Sequence, residues 1–138
     1  MVYQVFGNRL VVRLETGDEL LESILKVCEE TGFTTASVTG IGATDDVEIG
    51  SGNEDENRYY IQSYHEKLEM CNISGNVTHK GDILNCHLHV VLGAPGGGAF
   101  GGHVHKAVVK NTAEIFIDRI DGEIDRKLFE GRFYFMDL

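Results

Sequence analysis

The chain has no block of lysine or arginine, no Cys-x-x-Cys, no long apolar run, and a single proline in 138 residues. Its 12 basic residues stand against 22 acidic ones, a formal net charge of -10. Non-specific affinity for nucleic acid comes largely from counterions released when Lys and Arg neutralise phosphates, so this balance argues against a nucleic-acid partner. The densest charge run, Gly52-Asn53-Glu54-Asp55-Glu56-Asn57, is acidic and reads as a solvated loop. Three widely spaced cysteines, Cys28, Cys71 and Cys86, exclude a disulfide framework and a thiolate zinc site. Cys28 falls on a helical apolar stripe and the other two in apolar strand patterns, so buried thiols are expected. No segment approaches the length that crosses a bilayer, and no basic start leads into an apolar run. These absences predict a chain neither exported nor inserted in a membrane, with the cytoplasm as its compartment. The length suits one domain, residues 1–138, around one core.

Periodicity divides the chain into a short helical part and a long strand-rich part. Val2 to Phe6 and Arg9 to Leu14 read as strands around a Gly7-Asn8 turn. Glu19 to Thr31 repeats its apolar residues, Leu20, Leu21, Ile24, Leu25, Val27 and Cys28, at helical spacing. Asp18 is the expected N-cap and Gly32 the expected left-handed terminator. From Phe33 onward the period becomes two. Strands are predicted at 34–39, 46–49, 58–63, 66–78, 83–92, 103–109 and 112–120, with a last one over 129–135 in which Gly131 is a bulge or bend. Short connections imply a largely antiparallel sheet. The fold class is therefore α+β, a mainly antiparallel sheet with one principal helix, about residues 19–31, packed against it.

Against this background the histidines stand out. His87-Leu88-His89 and His103-Val104-His105 flank the glycine-rich segment Gly93-Ala94-Pro95-Gly96-Gly97-Gly98-Ala99-Phe100. Alternate residues of a strand share a face, so each pair points one way, and an antiparallel hairpin with odd residues opposite odd residues gathers all four rings on one surface. Neutral imidazoles are common zinc ligands, and catalytic zinc sites leave one position open. One His-x-His reads more readily as a polar strand face than as a ligand pair; two pairs bracketing a glycine turn reverse the balance in favour of a metal. By spacing alone His87, His89, His103 and His105 are all candidate ligands, and any one of them outside the coordination shell would serve as a supporting donor. His65 and His79 lie near turns and read as surface residues. The glycine segment lacks the lysine of a phosphate loop and is followed by strand-like sequence. Gly40-Ile41-Gly42-Ala43 likewise runs into Thr44-Asp45-Asp46 rather than a helix, so a dinucleotide-binding reading fails.

Several further stretches complete a pattern: Arg13-Leu14, Gly17-Asp18-Glu19-Leu20-Leu21, Gly40-Ile41-Gly42-Ala43, Leu68-Glu69, Ile73-Ser74-Gly75-Asn76, His87-Leu88-His89, Gly101-Gly102-His103 and Thr112-Ala113-Glu114-Ile115. In this order they resemble the PPC (plant and prokaryote conserved) domain, in its stand-alone prokaryotic form, over essentially the whole chain. The resemblance implies a curved antiparallel sheet with one main helix, assembled as a homotrimer, and metal-associated histidines at His87, His89 and His103. At His105 the family pattern carries an apolar residue. Members are commonly labelled DNA-binding, but the plant proteins owe DNA contact to an added Arg-Gly-Arg-Pro segment that this chain does not contain. The fold also resembles that of acetolactate decarboxylase, a zinc enzyme.

Three functions compete at this level. The first is a trimeric protein that binds a divalent metal, zinc, with a small anionic ligand. The second is a metal-dependent lyase or hydrolase, which needs a proton-transfer group near the metal, and Glu69 and Glu114 are the catalytic candidates. The third is DNA binding, for which a trimer would have to gather Arg9, Arg13, Lys106 and Lys110 into a basic patch.

Overall fold

The computed structural model describes residues 1–53, 58–131 and 133–138. The acidic run therefore lies mostly outside the described residues. Strand β1 (Val2–Phe6) turns at Gly7, φ 61°, into β2 (Arg9–Glu15), whose Leu10, Val12 and Leu14 are fully buried. The one helix, α1 (Leu20–Thr31), buries Leu20, Ile24, Val27 and Cys28 and ends at Gly32 with φ 72°. Its N-cap is Glu19 rather than Asp18. The Glu19 carboxylate accepts both the Glu22 N–H, at 2.8 Å, and the Ala107 N–H, at 2.8 Å, so one side chain caps the helix and ties it to the sheet. Asp18 instead accepts the Glu15 N–H and pairs with the N-terminal ammonium at 2.9 Å.

Two strands are much longer than their sequence suggests. The segments predicted at 34–39 and 46–49 form one strand, β3 (Ala36–Asn53), and those at 103–109 and 112–120 lie in β7 (Ala99–Arg119). Both pass through irregularities that periodicity reads as ends. Asn111 adopts φ 68°, which asparagine tolerates, and β3 shifts register at Gly42/Thr44 and Thr44/Asp46. There the Thr44 hydroxyl donates to the Val108 carbonyl at 2.7 Å, satisfying backbone that the bulge would otherwise leave unpaired.

Between them lie β4 (Arg58–Tyr64), β5 (Leu68–Lys80) and β6 (Ile83–Gly93). The seven strands run in the order β1-β2-β7-β6-β5-β3-β4, every pair antiparallel, with an additional β7–β3 pairing. The pairings β3–β5, β5–β6, β6–β7 and β7–β3 close a circuit, so the sheet curls back on itself. Leu68, Met70, Ile73, Leu88, Leu92, Ile115 and Ile117 fill the concave side with the helix stripe as a single core.

The C-terminus departs from the expected single strand. β8 (Asp125–Phe129) and β9 (Phe133–Asp137) form a separate hairpin, and Glu130 and Gly131, φ 48° and 69°, belong to its turn. The cysteines are free, but Cys71 is exposed: it alternates with the buried Leu68 and Met70, and past the register shift between Met70 and Asn72 the inward phase moves to Ile73. Among the described residues no helix is long and apolar enough to cross a membrane.

Candidate metal centre

Burial of Leu88, Val90 and Leu92 on one face of β6 sends His87 and His89 to the other, and burial of Val104 does the same for His103 and His105 on β7. The register sets His89 directly opposite His103. The turn between the strands is closed by the Ala94 N–H donating to the Gly98 carbonyl at 2.8 Å, with Gly96 and Gly97 at φ 95° and 93°. Ring centroids lie 5.3 Å apart for His87–His89, 4.9 Å for His87–His103, 5.5 Å for His89–His103 and 4.9 Å for His103–His105. All four rings thus share a surface, but they are not equivalent. His87, His89 and His103 each offer a ring nitrogen within 4.8 Å of the other two. Nitrogens bound tetrahedrally to one zinc are roughly 3.4 Å apart, so small side-chain rotations suffice to close this set on an ion.

Position in the sheet also prepares the rings electrostatically. Burial, then the neighbouring Arg126 and His89 charges, lowers the His87 pKa; burial followed by His87, His105, His89 and Arg126 lowers that of His103 to about 4. Both imidazoles are neutral at pH 7, the form that binds metal. In the metal-free chain the folded His103 therefore protonates at lower pH than its unfolded counterpart, near 6.5. The unfolded state binds the proton first, so stability from this group is complete above ~6.5 and falls as the pH drops toward about 4. Urea midpoints of the metal-free protein are expected to decline across that window, and His103→Gln should flatten the decline.

His105 stands apart from the three. It is exposed, and its Nε2 lies 2.8 Å from the Tyr59 hydroxyl, the two rings meeting edge to face. On the opposite side, Nη2 of Arg126 lies 3.5 Å from His87 Nδ1. Neither Tyr59 nor Arg126 was accessible to sequence reasoning, because each reaches the histidines from a strand distant in the chain and belongs to no spacing motif. Asn76, which holds Arg126, lies in a stretch already singled out, Ile73-Ser74-Gly75-Asn76.

Other sequence-derived candidates lie elsewhere. Glu69 pairs with Gly93, four residues along β6 from His89, or roughly 13 Å at ~3.3 Å per residue. It lines a cleft of about 440 Å³ together with Glu114, Ile41, Cys71 and Thr112. The two glutamates thus share a cleft with each other and not with the histidines, because the strand register separates them. His65 is exposed and pairs with Asp46, as a surface residue should. His79 is instead half-buried, its backbone N–H donating to Ile124 below the C-terminal hairpin.

None of the curated proteins matches the chain. A plant- and prokaryote-conserved protein of Pyrococcus horikoshii is 30% identical, with 99% of this chain and 95% of that one covered and a TM-score of 0.87. A metal-containing protein of Archaeoglobus fulgidus is 32% identical, with coverage of 100% and 99% and a TM-score of 0.85. A Bacteroides thetaiotaomicron structure bearing a DNA-binding label shares the fold at TM-score 0.93, with 23% identity and coverage of 99% and 96%. The model of the Plants and Prokaryotes Conserved domain matches residues 1–121. With that match spanning most of the sequence and both long strands, the chain belongs to the Plants and Prokaryotes Conserved domain family.

Proposed function

We propose that this protein is a homotrimeric, cytoplasmic metal-binding protein that holds one divalent ion, zinc, per chain through His87, His89 and His103, leaving a coordination position for a small anionic ligand. The observation that carries this reading is the set of three imidazoles with ring nitrogens within 4.8 Å of one another. Zinc suits an all-imidazole set, and three protein ligands are the pattern of zinc sites that accept an exogenous ligand. Bound there, the ion supplies a Lewis acid; the protein's own part is to hold His87 and His103 neutral by burial and to aim the three rings together. The Archaeoglobus fulgidus relative, described as metal-containing, adds support. Trimerisation is supported by apolar side chains left on the surface of one protomer, such as Tyr59, Ile61, Leu128 and Phe135. Free thiols suit a reducing compartment. Native mass spectrometry tests the reading in one measurement: three subunits and three zinc ions per particle are expected, and metal-free particles after zinc loading would refute it.

DNA binding is suggested by the label on similar structures, but the side chains oppose it. Arg9 pairs with Asp118, Arg13 with Glu15, Lys106 with Asp46 and Lys110 with Asp45. Each member of the basic patch that DNA would need is thus matched by a carboxylate in its own protomer. Duplex DNA should show no retardation even at low salt, where phosphate contacts are strongest. The lyase or hydrolase reading requires a proton-transfer group at the metal, which neither Glu69 nor Glu114 supplies within a protomer.

A further inference from the structure

Arg126 lies beyond the residues matched by the family model, on the C-terminal hairpin, yet its side chain turns back to the histidine cluster. It is only 9% exposed. Its Nε–H donates to the Thr78 hydroxyl at 2.8 Å, Nη2–H to Asn76 Oδ1 at 2.7 Å and Nη1–H to the Tyr134 carbonyl at 3.3 Å. Every one of these acceptors is neutral. Among the described residues no carboxylate forms an ion pair with Arg126.

A guanidinium remains charged in proteins, and a buried charge without a counter-ion is costly. Fastening a hairpin to β5 requires hydrogen-bond donors but no charge. Placing that charge against His87 also works against a cation held by the same ring, since like charges repel strongly where water is scarce. Both costs disappear when an anion sits between them. An arginine held on two sides by Asn76 and Thr78 presents its remaining N–H donors in a fixed direction, which suits a carboxylate that offers it one oxygen and turns the other away.

We propose that Arg126 is the anion-recognition residue of the histidine site, which takes a small carboxylate with one oxygen on the metal and the other on the guanidinium. This rests on the metal reading above and specifies its ligand class. A neutral metal ligand entering the same position has no need of the arginine, and that difference separates recognition from structural support.

The test uses the full-length protein loaded with cobalt(II), whose visible absorption reports its ligands, titrated with acetate and, separately, imidazole. In the wild type both should alter the spectrum. Arg126→Gln should keep its cobalt and bind imidazole with about the same affinity while acetate weakens roughly ten-fold or more, the effect of losing a charge-assisted hydrogen bond. Arg126→Lys, which keeps the charge but not the fork, should fall between. Unchanged acetate binding in Arg126→Gln overturns the proposal, and so does equal weakening of acetate and imidazole, which would mark a structural role. If Arg126→Gln does not fold, the side-chain ¹⁵N resonance of Arg126 in the wild type decides: acetate must shift it in zinc-loaded protein and not in metal-free protein. A wild type that takes up no cobalt overturns the metal reading and this inference together; one that takes up cobalt and ignores acetate overturns only the role of Arg126.

Discussion

Alanine in place of any one of His87, His89 or His103 should reduce zinc affinity by more than the roughly 10–100-fold that follows loss of a residue merely supporting a ligand. Two imidazoles cannot restrain the ion as three do, and no other group is set to replace the third. Among the described residues the only cluster of potential ligands at this point is those three rings. The nearby His105 does not compensate, because its Nε2 is engaged with the Tyr59 hydroxyl and its ring lies on the outer side of His103. His105→Ala is therefore the matched control and should leave zinc content unchanged. Competition against a chromophoric chelator reads both affinities. Unchanged zinc binding in the His103 variant would end the three-histidine assignment, and loss in the His105 variant would make it a four-histidine site.

Gly75→Ala should be among the most damaging single methyl groups that can be added to this protein. A Cβ at Gly75 would stand 1.9 Å from the His87 carbonyl oxygen and 2.9 Å from the Leu88 Cα. These are backbone atoms, so no rotamer change relieves the clash, and β5 and β6 must separate where Gly75 pairs with Leu88 and Asn76 with His87. The expected destabilisation is about 3 kcal/mol or more, at or above the upper end of ordinary overpacking. Because Leu88 is fully buried and His87 is its neighbour, the same displacement loosens the histidine cluster in whatever protein still folds. Gly98→Ala, whose Cβ meets nothing within 4 Å, should be close to neutral. Urea denaturation of the two variants makes the comparison, and equal midpoints would show that the sheet absorbs the added methyl.

Gly75 and Gly101 show why the site sits where the sheet closes. A Cβ at Gly101 would lie 2.3 Å from the Val90 carbonyl, so both flanks of the histidine-bearing part of β6 approach their neighbours closely only because side chains are absent there. The sequence marks these glycines as members of stretches that carry the family resemblance, but not as contacts. Their function becomes visible once β5, β6 and β7 are in register.

Local chemistry was the more legible part. Period-two alternation placed β2, β5 and β6 to within a few residues, since an antiparallel strand with one buried face writes that face into every second position. The helix was legible from its stripe, although its cap was not: Asp18 and Glu19 are adjacent carboxylates, and the choice fell to Glu19 because it also reaches the Ala107 N–H on β7. The same limit explains the merged strands. A bulge or a left-handed Asn111 resembles a strand end in the sequence, and only cross-strand pairing reveals that the strand continues.

The sequence by itself determined the α+β class and the placing of His87 with His89, and of His103 with His105, on one face of their strands, because two-residue alternation is a local property that a short segment carries alone. Tertiary structure decided the rest. It drew His105 to Tyr59, moved Glu69 and Glu114 to a separate cleft, gave each lysine and arginine of the supposed basic patch its own carboxylate, and buried Arg126 beside His87. Each of these depends on register between strands far apart in the chain, and register is set by how the whole sheet packs around its core.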